Sequence, residues 1–235
     1  MIPQTNQTGQ FSREFPSEEY MAQLNMYRNV HVDGLPDKNI SGQELFVGES
    51  LSKHVPTIHQ VIKENSISTL LDYGCGKAVL HGSGNEIKTP DGRVLNNVDD
   101  YWGVSTQCYD PGYLPHSARP SGTFDLVVCV EVLECCSCDD IPWIIDDLFR
   151  YASKAVFIAI ECYPAVIKMP NHYDAHITIR PGRWWGPIVE EVARNHPDIN
   201  YYGVFDNRDP IPGTPGKATE RRQFLSGPPY ELITL

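Results

Sequence analysis

The stretch Leu70–Leu80, LLDYGCGKAVL, concentrates more potential chemistry than any other part of this chain. An apolar run ends on Asp72 and opens at once into a glycine-spaced turn, Tyr73-Gly74-Cys75-Gly76-Lys77. Such turns cradle nucleotides, because glycine lets backbone approach a ligand that a side chain would hold off. Two ligand classes can be tested by their own spacing. A triphosphate loop needs GxxxxGK[ST], so that successive amides wrap the phosphates and a hydroxyl holds magnesium. Here the upstream glycine, Gly74, lies only two residues before Gly76, and Ala78 stands where the hydroxyl is required, so that class fails. A dinucleotide turn, GxGxxG, puts its third glycine at position 79 for close helix–strand packing. That position is Val79, which demotes NAD without removing it.

What remains is D-x-G-x-G at the end of a first strand, and two later stretches extend it. Asp110, in YDPG, ends the next strand, where a carboxylate can accept both hydroxyls of a ribose. The plainer reading of an Asp before Pro-Gly is a turn residue. FDLVVCV, Phe124–Val130, is a continuous apolar run of the kind buried on both faces of a parallel sheet, and Glu131 and Glu134 follow it. Together these motifs resemble the class I S-adenosylmethionine-dependent methyltransferases, whose fourth-strand motif reads FD-(apolar)-(D/E)-VLEH, with Cys135 here in place of the usual histidine. The combination of LLDYGCGK, YDPG, FDLVVCVEVLE, IPWIIDDLFRYA and AHITIRPGRWW is similar to a group of uncharacterised bacterial and phage members of that class. The likeness covers roughly residues 27–187, and the group is defined by fold and cofactor rather than by acceptor.

The resemblance implies a Rossmann-like α/β sheet with helices on both faces, and S-adenosyl-L-methionine as cofactor. It implies that Gly74 and Gly76 admit the methionyl part and that Asp72 reaches its ammonium, directly or through water. A helix start behind the turn would favour the carboxylate. Tyr73, Cys75 and Lys77 in the turn, Asp110 with Pro111 at the ribose, and Glu131 with Val132 complete the implied cofactor set. Two departures stand out. Ala78 holds a position that is commonly glycine. The interval between Asp110 and Asp125 is too short for a helix and a whole strand, so the third, edge strand is expected to be missing or vestigial. Tyr109, Tyr113 or Glu131–Leu133 would then face the adenine.

In an open α/β sheet the cleft lies beyond the carboxyl ends of the strands, which points to the loops at 73–77, 110–113, 131–138 and 161–180. Methyl transfer requires alignment of a nucleophile with the methyl group, and a base only where the acceptor proton must leave early. His176, in YDAHITIRP, is the first candidate base, with Glu131 and Glu134 behind it; the alternative is a histidine bonded within its own loop. Acceptor contacts are expected from Tyr27 and His31 in a lid helix, from His172, from Arg180 toward an anionic group, and from Trp184 by stacking. Trp184 and Trp185 equally suit the packing of a helix on a core. His172, Asp174 and His176 match no recognised zinc spacing, and no metal is expected.

Apolar spacing outlines the elements that hold these residues. Residues 1–16 read as a flexible arm, 17–30 and 50–64 as helices, and 68–72 as the first strand. Residues 79–100 form an irregular excursion with a turn at PDGR, and a second strand spans 101–109. The apolar run 124–130 is the third strand, and a helix over 142–152 is capped by Asp139-Asp140. A strand over 155–160, a helix over 183–195 and an antiparallel pair at INYYGVF and RRQFL complete the chain. The domain reading is one methyltransferase unit, with a helical cover at 17–65 and a Rossmann-like core at 66–235.

Bulk properties narrow the function. Formal charge is −11 with no long Lys/Arg cluster, which opposes extended nucleic-acid binding and leaves room for a local basic pocket. Ser226–Tyr230, SGPPY, imitates the [DN]PPY motif of amino-directed methylases, but it sits far from the strand end that motif must follow, and Gly227 replaces its polar residue. The expected acceptor is therefore a small molecule or glycan-like; oligomeric state is not readable. The polar amino terminus, the lack of a membrane-length apolar run and an odd number of cysteines, seven, point to a cytoplasmic protein with reduced thiols; the patch Cys135-Cys136-Ser137-Cys138 lacks the second CxxC of a zinc site, and the other cysteines are scattered. Two other functional classes stay open: a non-catalytic S-adenosylmethionine-binding protein, and another enzyme on the same fold, an aminopropyl transferase or an NAD-dependent oxidoreductase.

Overall fold

A computed structural model describes residues 11–84, 86–88, 94–170, 173–210, 218–227 and 233–234. His172, the PDGR turn and residues 228–230 of SGPPY lie outside the described residues. In chain order the elements are α1 (Glu18–Asp33), α2 (Val55–Asn65), β1 (Thr69–Tyr73), β2 (Ile87–Lys88), β3 (Val94–Leu95), α3 (Val98–Trp102) and β4 (Ser105–Tyr109). There follow β5 (Phe124–Val130), α4 (Ile141–Tyr151), β6 (Ala152–Glu161), α5 (Gly182–Ala193), β7 (Asn200–Pro210), β8 (Ala218–Ser226) and β9 (Ile233–Thr234).

The main sheet runs β4-β1-β5-β6-β7-β8-β9. Its first five strands pair in parallel; β8 adds antiparallel to β7, as the sequence led us to expect of that pair, and β9 adds antiparallel to β8. Period-two geometry sorts the apolar run of β5 between two cores. Leu126, Val128 and Val130 pack with Val55, Ile58 and Ile62 of α2 and Trp102 of α3, whereas Val127 and Cys129 pack with Ile144, Ile145 and Leu148 of α4 and Trp185 of α5. Helices therefore cover both faces.

Two elements differ from the sequence reading. The second strand begins at Ser105, because Asn97 caps a helix in front of it: its Oδ1 accepts from Asp100 N at 2.8 Å, and Gly103 ends the helix at φ 71°. The excursion before it is not structureless, since β2 and β3 pair antiparallel. Asp140 stands at the start of α4 yet makes no capping bond. Its carboxylate is instead drawn across the structure, accepting from Ser17 N at 3.0 Å, from the Ser17 hydroxyl and from Trp143 Nε1 at 2.7 Å.

The expected loss of the edge strand has a consequence for the amino terminus. Residues 110–123 hold only a 3-10 turn, Leu114–His116, so β4 is the sheet edge and no crossover helix follows it. The face over Tyr73 and Tyr109 is covered by residues 11–24 instead. Arg13 donates to Tyr73 OH at 3.1 Å, pairs with Asp147, and lies 5.8 Å from the Tyr109 ring centre. Ser17 then caps α1, its Oγ accepting from Tyr20 N at 3.0 Å. Residues 11–16, grouped above with a flexible arm, are thus tied into the α4 side of the sheet.

Asp140 is wholly buried and is the hinge pin of that attachment. Asp140→Ala leaves two buried donors on Ser17 and the half-buried Trp143 Nε1 without an acceptor and is expected to cost about 2–4 kcal/mol. An unfolding free energy from urea titration within about 0.5 kcal/mol of the parent, the range of ordinary surface changes, would sink this assignment.

Candidate functional site

The turn after β1 is held by its neighbours rather than open to a ligand. Gly74 N and Cys75 N donate to Tyr109 O at 2.7 and 3.3 Å, Lys77 N to Phe46 O at 2.8 Å and Val79 N to Val47 O at 3.0 Å. Gly76 N donates to Asp110 Oδ2 at 2.9 Å. The glycines are required by this packing. A Cβ on Gly74 (φ 86°) would lie 2.2 Å from Val132 Cγ2, and one on Gly76 (φ 56°) 2.3 Å from Phe46 O. Ala78 takes up φ 53°, the left-handed region that glycine favours, which accounts physically for the glycine that the resemblance would place there. The chain then makes a single 3-10 turn, Val79–His81, and no α-helix starts behind the glycines. The implied helix N-terminus for a carboxylate is therefore corrected: the amides that would form it are satisfied within the chain.

Above this turn lies a cleft of ≈ 440 Å³, a normal size for a small-ligand site. Its floor is the carboxyl ends of β1, β4 and β5, which bring Asp72, Asp110 and Glu131 to its wall with Gly74, Cys75, Gly76, Pro111 and Val132. Tyr27 and His31 of α1 face it from above with Phe46, and His176 closes the far side. Tyr27 OH donates to Ala175 O at 3.3 Å, tying that cover to the His176 loop.

Each carboxylate is held differently. Asp72 Oδ2 receives His81 Nε2 at 3.0 Å, while His81 Nδ1 meets Asp99 Oδ1 at 2.8 Å. Burial opposes charge on His81, but the hydrogen bonds to the two carboxylates outweigh it and raise the imidazole to about 10. Asp110 accepts from Gly76 and, at 2.7 Å, from Gly112 N, and burial pushes its carboxyl above the ordinary value against those bonds. Glu131 stands at φ 54°, a strained position of the kind that collects at functional sites. It accepts from the Ser50 hydroxyl and from Lys53 Nζ at 2.8 Å, and the same ammonium reaches Glu161 Oε1 at 2.7 Å. Burial raises the Glu131 carboxyl, and the Lys53 bond pulls against it.

His176 is bonded within its own loop and also faces the cleft. Its Nδ1 lies 2.7 Å from Tyr163 O. A carbonyl only accepts, so Nδ1 carries the proton and Nε2 of the neutral ring is left with its lone pair. The ring is buried and lines the cleft, and Nε2 has no partner among the described residues. His31 is a different case. Its ring lies between Phe46 and Tyr113, at 4.9 and 4.8 Å, and burial together with the Lys77 ammonium 3.1 Å from Nδ1 lowers it to about 4.

Several expected residues stand elsewhere. Glu134 is fully buried: one oxygen accepts from Glu161 N at 2.7 Å, the other has no partner among the described residues, and burial drives the acid well up. It clamps the end of β6 rather than lining the cleft. Lys77 turns its ammonium to Leu45 O at 2.8 Å. Arg180 is exposed over Trp184, 5.7 Å from the ring centre, because Thr178 is pinned beneath by Glu134 O and Cys136 O. Trp184 meets Trp185 edge to face at 4.9 Å on the α5 core. Neither reaches the cleft. Tyr113 stacks on His31, and Tyr109 lies against Tyr73 on the α4 side, leaving Glu131 and Val132 as the named adenine-side residues on the wall. Asp174 is taken up by Lys168 and two loop amides, and among the described residues no cluster of three His, Cys, Asp or Glu side chains could hold a metal. All seven cysteines are free thiols.

Sequence reasoning missed Lys53 and Arg208, both on the cleft wall. Glu161, at the end of β6 and the start of the loop 161–180 already placed at the cleft, was not singled out there and also lines it. Lys53 and Arg208 carried no local signal. Comparison of the chain with models of known families, with curated proteins and with solved structures found no match. The arrangement itself offers carboxylates for an ammonium and a diol, cations for a carboxylate, and aromatic cover for a planar ring.

The imidazoles set a pH profile for stability. His54, buried behind Phe157, is lowered from 6.5 to about 4, so between those values only the unfolded chain takes the proton and stability falls as pH falls. His81, raised from 6.5 to about 10, keeps its proton only when folded across that window, so stability falls as pH rises through it. Each contributes a slope of at most ~1.4 kcal/mol per pH unit. His81→Gln is expected to flatten the alkaline arm of a denaturation-versus-pH series and leave the acid arm; an unchanged alkaline arm would contradict the Asp72–His81–Asp99 assignment.

Proposed function

We propose that this chain is a class I S-adenosylmethionine-dependent methyltransferase of a small-molecule or glycan-like acceptor. The observation that carries the reading is that three adjacent parallel strands each deliver a carboxylate, Asp72, Asp110 and Glu131, to one cleft. Those residues fit the cofactor by donor chemistry: Asp72 for the ammonium, the remaining lone pairs of Asp110 for the ribose hydroxyls, and Lys53 or Arg208 for the carboxylate. The bound cofactor would supply an electrophilic methyl group on a sulfonium. Tyr27, Phe46 and Leu24 exclude water from one side of the cleft. His176 Nε2, its orientation set by Tyr163 O, takes the acceptor proton where one must leave. A wall rich in carboxylates suits a cationic cofactor and repels an extended phosphate backbone.

Calorimetric titration of S-adenosylmethionine, its demethylated product and NAD tests the cofactor class. Heat from the first two and none from NAD is expected; no heat from the first two ends this reading. Asp110→Ala should abolish binding, but it also strips an acceptor from two turn amides. Glu131→Gln spares the turn and should weaken binding about tenfold, the value of one hydrogen bond to a charged group. For His176, nitrogen-15 NMR is expected to show the Nδ1–H tautomer at neutral pH. His176→Asn should keep cofactor affinity and lower methyl transfer by about a hundredfold or more; an Nε2–H tautomer would remove it as the base.

A further inference from the structure

A second pocket, of ≈ 200 Å³, opens beside the cleft on the α4 side and shares Tyr20, Leu24, Tyr73 and Pro111 with it as common walls. Its lining includes Arg13, Arg28 and Arg119 and not one carboxylate. That is unexpected in a chain with 30 acidic and 19 basic residues. The three arginines are not equivalent. Arg13 is neutralised by Asp147 and serves as wall. Arg28 spends its Nε on Pro111 O at 3.1 Å, which fixes the guanidinium at the junction of the two cavities. Arg28 and Arg119 have no carboxylate within ion-pair distance among the described residues, unlike Arg150, Arg194 and Arg222, which are each paired.

Two unpaired guanidinium groups lining one small cavity repel each other, and an oxyanion between them converts that repulsion into attraction. The planar fork of arginine matches the paired oxygens of a phosphoryl or carboxylate group. The remaining wall, with Tyr20, Tyr73, Tyr109 and Trp143, is aromatic, so a bound anion is shielded from bulk water on those sides. We infer that this pocket is an oxyanion subsite, and that it seats a phosphoryl or carboxylate group carried by the methyl acceptor. That the anion belongs to the acceptor rests on the proposed function; that the pocket binds an oxyanion does not. The role that Arg180 was expected to play toward an anionic acceptor thus falls to Arg28 and Arg119.

The test uses the full chain at constant ionic strength, with inorganic phosphate and acetate as probes in separate calorimetric titrations. Binding of at least one is expected, and the tighter of the two identifies phosphoryl or carboxylate as the natural group. Arg28→Gln and Arg119→Gln are exposed changes and should each weaken that probe about tenfold, the loss of one charge-assisted hydrogen bond, while S-adenosylmethionine affinity in Arg119→Gln stays at the parent value. Arg194→Gln, on an exposed arginine of α5's far end, should change neither. Failure of both probes to bind the parent chain, or equal binding by the Arg28 and Arg119 variants, overturns the subsite. Anion binding that depends on both arginines in a chain that ignores S-adenosylmethionine overturns the acceptor assignment and the proposed function, and leaves the subsite standing.

Discussion

The Asp110 carboxylate bridges two backbone turns, accepting from Gly76 after β1 and from Gly112 after β4. With Tyr109 O, which receives Gly74 and Cys75, it fixes the floor of the cleft as one hydrogen-bonded unit. A carboxylate can accept about four hydrogen bonds, so two anchored oxygens still leave lone pairs for a ligand. The same group that builds the site is therefore able to use it. The tightness of the turn follows from this bridge: once Gly76 is drawn to Asp110, Phe46 O and Val132 come too close for any Cβ at positions 76 and 74.

A shortened crossover shapes the rest. With only a 3-10 turn between Asp110 and β5, the sheet ends at β4, and the face that a crossover helix would have covered needs another lid. The amino-terminal segment supplies it through Arg13 and through Ser17 on Asp140. α1 is thereby led over the cleft, where Tyr27 and His31 become part of the wall. The short connection thus has two effects: it leaves β4 as an edge, and it draws a distant piece of chain to the cleft. The arginine-lined pocket lies at that seam, between recruited segment and sheet edge.

Electrostatically the site is a set of carboxylates each given a specific partner. Asp72 has the His81 imidazolium, Asp110 has backbone amides, and Glu131 shares Lys53 with Glu161. Separate partners allow three carboxylates to be seated close together in one partly buried wall. Glu134 shows the other outcome. Lacking a cation and wholly enclosed, it is held toward its neutral form and acts as a clamp.

Much of this was legible in the chain alone. The strand runs Leu70–Asp72 and Phe124–Val130, the glycine turn, Asp110 at a strand end and the shortfall before Asp125 are local patterns, set by side-chain period, glycine spacing and chain length. They determined a mostly parallel α/β sheet with a cleft at the carboxyl ends of its strands and no separate strand between Asp110 and Asp125. Only the tertiary structure decided which side chains meet there. Glu131 and Glu134 are three residues apart and look alike in sequence, yet one lines the cleft and the other is buried, because the chain reverses at Glu131 in a left-handed conformation. Arg180 and Trp184 follow the His176 loop closely but turn away, while Lys53, Arg28 and Arg119 arrive from distant segments. Contacts of that range depend on how separate elements pack, and no local periodicity encodes them.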